Sequence, residues 1–312
     1  MSVMAGLVPA IHVFAAWQEI VDARHKAGHD GSEGKAKVLA MPASALINVM
    51  LAAARKAGRS LARDFGEVEQ LQVSLKGPAN FVSAADHRAE EILHAELIRA
   101  RPGYGLLMEE RGDVEGADRT HRFIVDPLDG TTNFLHGIPH FAISIALERE
   151  GELVAGLIYN PVSHETFTAE KGKGAFLNDR RIRVAARRTL SDSVIGTGIP
   201  HSGRPQHDVF LKELEAVMAA SAGVRRLGAA SLDLAWTAAG RLDGYWERNL
   251  RAWDLAAGIV VLREAGGFVS DAEGKDKMLE TGSVVGGNEA IQRHLLKLIK
   301  SVSAARATPA TP

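Results

Sequence analysis

The 312-residue chain contains no cysteine. That excludes a disulfide framework, Cys-ligated zinc, an iron–sulfur cluster and a thiol nucleophile. Net charge is also scarce, since 37 Lys and Arg against 38 Asp and Glu leave a formal −1. No bulk positive field therefore draws the chain to nucleic acid or to an anionic membrane. No apolar run reaches the roughly 18 residues of a membrane span. The apolar opening has no Lys or Arg before Arg24, so it lacks the basic start of a secretory signal, and a cytoplasmic protein is predicted. Gly (31) and Pro (11) are at ordinary levels, which removes collagen-like and low-complexity classes. Hydrophobic residues make up 46 %, and a chain this long folds on such a core without staples.

Residues 1–40 differ from the rest, with a Gly-, Lys- and His-rich stretch from His25 to Lys37 and no periodicity. They are expected to form a loosely packed extension upstream of a native start at Met41. From Ala45 to about Arg63, apolar residues recur at helical spacing, and a second helix is predicted over Ser83–Arg101. Strands follow at Tyr104–Met108 and Arg122–Asp126. The runs Phe141–Leu147 and Leu153–Tyr159, separated by Arg149-Glu150-Gly151-Glu152, read as a hairpin that continues through Glu165–Ala169 as an antiparallel meander. The second half alternates. Strands are predicted near Ser193–Thr197, Gly244–Glu247, Gly267–Ser270 and Ser283–Val285, and helices near Val209–Ala220, Ser231–Ala239, Trp253–Ala265 and Asn288–Ile299. This order gives an α/β (α+β) sandwich of alternating helix and mixed-sheet layers. Residues 303–312 are expected to be a disordered tail.

The densest chemical signal is the run from Phe123 to Asn133, where a hydrophobic strand reaches Asp126-Pro127-Leu128-Asp129-Gly130-Thr131. Pro127 is expected to end the strand, and Gly130 permits a tight turn. Two carboxylates, a carbonyl and a hydroxyl then lie on one short arc, the oxygen donors that a hard cation such as Mg²⁺ takes. Asp-Pro-x-Asp-Gly is also an ordinary turn sequence. Glu109-Glu110 at the end of another apolar strand, Asp254 opening a helix and Asp86 at a helix start add weight. Asp86 with Ser83 also fits a capping box. His136 and His140 are kept from converging by Gly137 and Pro139, so zinc is not expected. Gly172-x-Gly174 reads as a hairpin turn, and no P-loop pattern occurs. The basic stretch Arg180–Arg188 reads as a solvated strand edge or an RNA or acidic-partner patch.

Met108-Glu109-Glu110, Asp126-Pro127-Leu128-Asp129-Gly130-Thr131-Thr132-Asn133-Phe134 and Trp253-Asp254-Leu255-Ala256-Ala257-Gly258 resemble the three signatures of the inositol monophosphatase family, Mg²⁺-dependent, lithium-sensitive phosphomonoesterases. The similarity covers roughly Ala43 to Ile299 in order, including Gly172-Lys173-Gly174-Ala175-Phe176 and Val285-Gly286-Gly287-Asn288. It implies a catalytic domain over 41–302, with a metal-binding half to about residue 190 and a substrate half after it. By position, the family's ligands for two or three Mg²⁺ fall on Glu109, Asp126, the Leu128 carbonyl, Asp129 and Asp254. Thr131 and Asp86 match the pair that orients and deprotonates the attacking water, with Glu109 beside them in catalysis. Lys76 matches a lysine near the outer metal. Gly228, Ala229, Ala230 and Glu247 match positions touching the substrate's alcohol portion. Met108 replaces a common glycine, and Ala229 stands where some members carry a hydroxyl.

The implied reaction is hydrolysis of a phosphate monoester, most simply myo-inositol 1-phosphate, by in-line attack of a metal-activated water without a phosphoenzyme. Related members act on histidinol phosphate, fructose bisphosphate or 3′-phosphoadenosine nucleotides. The resemblance also implies a homodimer. The alternative is a binding module of the transcription or ribosome-assembly machinery, associating with RNA polymerase, for which Arg180–Arg188 is the supporting feature.

Overall fold

The computed structural model describes residues 44–67, 73–75, 81–201 and 203–305, as backbone alone at 73–75, 81–83 and 303–305. The expected extension over 1–40, Lys76 and the Ser83 half of the capping box lie outside the described residues or side chains. So do residues 306–312 of the expected tail.

Helix α1 (Ala45–Phe65) begins at Ser44, whose hydroxyl accepts the Ile47 N–H at 3.2 Å. Such a cap satisfies one of the donors a helix start leaves unpaired. Its buried stripe of Met50, Ala53, Ala57 and Leu61 faces Ala85, Ala89, Leu93 and Leu97 of α2 (Ala84–Ala100). Between the two helices, β1 (Val73–Leu75) and β2 (Phe81–Ser83) form a small antiparallel pair.

An eight-stranded sheet follows. It comprises β3 (Tyr104–Met108), β4 (Gly112–Val114), β5 (Asp118–Asp129), β6 (Ala142–Arg149), β7 (Glu152–Asn160), β8 (Glu165–Glu170), β9 (Gly174–Leu177) and β10 (Arg180–Arg181), in the order β10-β9-β8-β7-β6-β5-β3-β4. The meander from β5 to β10 is antiparallel, and β3 joins β5 in parallel. The predicted hairpin forms between β6 and β7, and Gly172 lies in the turn between β8 and β9.

A second sheet holds β11 (Val194–Thr197), β12 (Gly223–Arg225), β13 (Gly244–Glu247), β14 (Phe268–Ser270) and β15 (Val284–Gly287), in the order β12-β11-β13-β15-β14. Here β11 runs parallel to β12 and β13, and β15 is antiparallel to β13 and β14. The accompanying helices are α3 (Thr131–Leu135), α4 (His207–Ala220), α5 (Ala230–Ala238), α6 (Ala252–Glu264), α7 (Met278–Thr281) and α8 (Glu289–Ala305).

Alternation along the strands sorts the core into layers. Phe123, Val125, Ile143 and Ile145 face α1 and α2, while Ile124, Ala142 and Ala146 face α5 and α6. In the second sheet Tyr245 and Val284 face α5 and α6, whereas Trp246 and Val285 face α4 and α8. Five layers result: helix, sheet, helix, sheet, helix. Every residue of α6 from Leu255 to Leu262 is buried, because the helix is covered by a sheet on each side. Burying each large aliphatic there is worth about 1.5–3 kcal/mol. Gly156 of β7 lets α6 approach, since a Cβ at that position would stand 2.6 Å from the Ala257 carbonyl oxygen.

Strand β5 begins at Asp118, four residues before the expected Arg122, and two further boundaries depart from expectation. Helix α8 continues to Ala305 rather than stopping near Ile299, so residues 303–305 are helical and not tail. Strand β5 does not end at Asp126 but continues through Pro127 to Asp129. The proline is tolerated because the pairing of β3 with β5 stops at Met108↔Val125, leaving the Pro127 side without a ladder to serve. On the other side, Asp126 pairs with Ser144 and Asp129 with Ala142. One extra residue is thus inserted in β5, a bulge that re-aims the side chains around it.

Candidate functional site

The parallel strands β3 and β5 of the first sheet, and β11 and β13 of the second, all present their carboxyl ends to one cleft of about 980 Å³. Its wall includes Glu109 just past β3, Asp129–Thr132 past the bulge of β5, Gly198 past β11, Glu247 at the end of β13, and Asp254 in the first turn of α6. The carboxyl ends of parallel strands are where α/β folds place ligands, because the chain turns away there and leaves a crevice.

The bulge brings Asp126 and Asp129 to the same side as Asp254. One carboxylate oxygen from each lies within 4.8 Å of the others. Asp86, Glu109 and Glu110 form a second such group, and Asp126 feels the charges of both Glu109 and Asp86. The two groups are therefore neighbours in one acidic centre.

Asp126, Asp129 and Asp254 are each held by short hydrogen bonds. The Leu128 N–H donates to Asp126 Oδ1 at 2.9 Å, within the bulge. Ser231, at the start of α5, donates its N–H (2.7 Å) and its hydroxyl (2.6 Å) to Asp129 Oδ2. The Arg251 N–H donates to Asp254 Oδ2 at 2.7 Å, and Ser144, opposite Asp126 on β6, donates to the Trp253 carbonyl at 3.2 Å. Gly130 takes φ +97°, a left-handed conformation natural to glycine, to turn from β5 into α3. The Thr131 hydroxyl donates to the Leu128 carbonyl at 3.0 Å.

Burial pushes the Asp126 carboxyl well above its ordinary pKa, and the charges of Glu109, Asp129 and Asp254 push it further. Asp129 is raised well above its usual value by burial and by Asp254, against the lowering effect of Ser231. Asp254 is raised by burial, partly offset by the Arg251 N–H and by Arg204. Among the described residues no Lys or Arg makes an ion pair with Asp126, Asp129 or Asp254. Convergent carboxylates without counter-cations repel one another and protonate. A divalent cation reverses that balance, and an all-oxygen donor set is what Mg²⁺ takes. The donor set therefore fits a hard metal ion.

Of the residues singled out in the sequence, Glu109, Asp129, Thr131, Gly228, Ala230, Glu247 and Asp254 line the cleft. Asp86 and Asp126 are buried just behind its wall, each 1 % exposed. Ala229 is buried in the core shared with α5 and α6. His136 is exposed, whereas His140 lies 3.4 Å from Asp233 and edge-on to Trp236. Glu247 accepts a hydrogen bond from the Tyr245 hydroxyl, and burial raises its carboxyl to about 8.

Three supporting residues escaped the sequence reading. Ser231 anchors Asp129 across 102 positions, a relationship no local pattern carries. The Asn133 amide donates to the carbonyls of His140 (2.7 Å) and Leu227 (2.8 Å), tying the β5 turn to the Gly228 loop. Glu90 accepts the Glu110 N–H at 2.8 Å and so fixes the acidic end of β3. Its position one helical turn after Asp86 was the available signal.

Comparison with known proteins agrees with this geometry. The profile of the Inositol monophosphatase family matches residues 43–304. An inositol-1-monophosphatase of Mesorhizobium japonicum is 66 % identical over 266 residues, covering 85 % of this chain and all of that protein. The Nus factor SuhB of Pseudomonas aeruginosa is 42 % identical, covering 82 % of this chain and 96 % of that one. A crystal structure of the extragenic suppressor protein suhB from Bartonella henselae superposes with a TM-score of 0.81 at 60 % identity, covering 82 % of this chain and 99 % of the other. This chain belongs to the inositol monophosphatase family.

Proposed function

We propose that the protein hydrolyses myo-inositol 1-phosphate to inositol and phosphate, with Mg²⁺ held by Glu109, Asp126, the Leu128 carbonyl, Asp129 and Asp254. The observation that carries this reading is the convergence of the Asp126, Asp129 and Asp254 carboxylates, with none of which a Lys or Arg among the described residues makes an ion pair. Two or three Mg²⁺ ions, when bound, would offset the charge of both carboxylates and phosphoryl oxygens and make the attacking water more acidic.

The remaining work belongs to the chain. Thr131 at the cleft wall accepts a hydrogen bond from the attacking water, and Asp86 beside Glu109 receives its proton. The first turn of α6 aims N–H dipoles toward the phosphate. Glu247, which lines the same cleft, hydrogen-bonds a hydroxyl of the polyol. That contact selects the substrate and leaves the displaced bond untouched. Lys76, matched in sequence to the family's lysine at the outer metal, and Ala229, behind the Gly228 loop, complete the set carried over from the family. The family match over 43–304 supports a single catalytic unit spanning 41–302. The same reading makes the protein a cytoplasmic homodimer, which sedimentation at micromolar concentration checks.

The test is phosphate release from inositol 1-phosphate with Mg²⁺, with EDTA, and with Asp129→Asn. Chelation is expected to abolish turnover and Mg²⁺ to restore it, and Asp129→Asn is expected to lose at least 100-fold, on the order of what removing a key electrostatic group costs. Turnover that survives chelation would falsify the metal-dependent route.

A second reading draws on relatives named Nus factor SuhB at 38–44 % identity and on β10, whose Arg180 and Arg181 form an exposed basic edge of the large sheet. A role in transcription predicts co-purification with RNA polymerase that persists in Asp129→Asn. The two roles are compatible on one fold.

A further inference from the structure

Glu247 sits at the end of β13, where a flexible carboxylate would ordinarily sample many rotamers. Two neighbours stop it. Tyr245 lies two residues earlier, on the same face of the strand by the two-residue period, and its hydroxyl donates to Glu247 Oε2. The Tyr245 ring is fully buried in the core beneath α5 and α6, so its hydroxyl is fixed from below. From the side, β11 runs parallel to β13 with Thr197 paired to Trp246. Gly198, the next residue of that chain, lies directly against the Glu247 carboxylate. A Cβ on Gly198 would overlap the carboxylate. Gly198 does not carry a positive φ, so its backbone does not call for glycine; the space taken by Glu247 does.

We infer that Tyr245 and Gly198 are positioning residues that lock the Glu247 carboxylate in one orientation at the cleft wall, and so set the preference for polyol phosphates over phosphate esters without neighbouring hydroxyls. This rests on the substrate reading above. Neither residue touches the metal-binding carboxylates. Tyr245 hands its hydrogen bond to Oε2, so a ring hydroxyl of the substrate meets a carboxyl group already aimed. Preorganisation of this kind favours binding by removing the ordering cost at the moment of contact. Tyr245, Asp233, Asp254 and Arg226 are charged or titratable groups that act on Glu247. Tyr245 is the one that makes a direct hydrogen bond to it among the described residues.

The experiment compares inositol 1-phosphate with p-nitrophenyl phosphate, which offers no hydroxyl to Glu247, in the full-length Mg²⁺-loaded protein. Tyr245→Phe keeps the buried ring and removes the donor. Gly198→Ala keeps the backbone and displaces the Glu247 carboxylate. Each is expected to lower the ratio of kcat/KM for inositol 1-phosphate to that for p-nitrophenyl phosphate about tenfold, about 1.4 kcal/mol at 25 °C. The change should fall mainly on KM for the polyol ester. In a Glu247→Ala background, Tyr245→Phe should leave the ratio where Glu247→Ala put it. A merely structural defect would lower both substrates together, and that outcome, or an unchanged ratio, overturns the inference. A wild-type protein that turns over p-nitrophenyl phosphate but not inositol 1-phosphate overturns the substrate reading itself, and the inference with it.

Discussion

Ser231 places two donors on a single oxygen of Asp129, its N–H at 2.7 Å and its hydroxyl at 2.6 Å. The serine opens a helix of the second half of the chain, and the aspartate closes a strand of the first. Ser231→Ala removes the hydroxyl and keeps the N–H. Hydrogen bonds to charged groups contribute about 1.5–3 kcal/mol. The variant is expected to lose part of that in urea melts and to need several-fold more Mg²⁺ for half-maximal turnover. An unaltered Mg²⁺ requirement would show that the N–H alone holds Asp129.

Removing the metal should change how stability depends on pH. Burial raises the folded-state pKa values of Asp126, Asp129 and Asp254, and neighbouring carboxylates raise the first two further, so folded carboxyls bind protons more tightly than unfolded ones. In the metal-free protein the stability contributed by these three carboxyls is fully present below the unfolded carboxylate pKa of about 4 and is lost as pH rises through the elevated folded values. Bound Mg²⁺ supplies the missing charge. The gain in Tm on adding Mg²⁺ to EDTA-treated protein is therefore expected to be larger at pH 8 than at pH 5. Equal gains would mean that the cluster is not the metal's binding site.

Gly130 carries φ +97°, and a Cβ there would stand 3.0 Å from the His140 carbonyl oxygen. Gly130→Ala combines strain with a backbone contact that cannot easily yield, at a cost of about 1–3 kcal/mol. Because this turn carries Asp129 and Thr131, turnover should fall more than tenfold even at temperatures where circular dichroism reports a folded protein.

Glu90 tests whether the end of β3 must be anchored. Its carboxylate accepts the Glu110 N–H and lies 3.6 Å from Arg111, and burial raises its pKa. Glu90→Gln keeps an acceptor and should stay close to wild type. Glu90→Ala leaves a half-buried N–H without one, costing about 1–3 kcal/mol at most, and should weaken Mg²⁺ binding through Glu109. Identical behaviour of the two variants would argue against anchoring.

The β6–β7 hairpin and α1 were legible because one face of each is buried, which writes a period of two or of about 3.6 into the sequence. Strand Tyr104–Met108 was legible to the residue, as an apolar run ending in two glutamates. Strands β4 and β12 were not, because three residues carry no period. The end of β5 was misjudged at Pro127, since a proline's exclusion from a sheet depends on whether a neighbour needs its N–H. That neighbour, β3, stops one residue short of Asp126 for reasons of topology.

The sequence by itself determined which side chains are available for chemistry: Glu109, the Asp126–Thr131 run and Asp254 stand in segments whose local preferences already bend the backbone toward a cleft. Tertiary structure alone decided what those side chains meet. Ser231 reaches Asp129 across 102 positions, and Gly198 touches Glu247 only because β11 and β13 run parallel. Local sequence encodes conformations through steric and hydrogen-bonding preferences that decay within a few residues, whereas electrostatic repulsion in a buried centre exists only once folding has brought distant carboxylates out of water together.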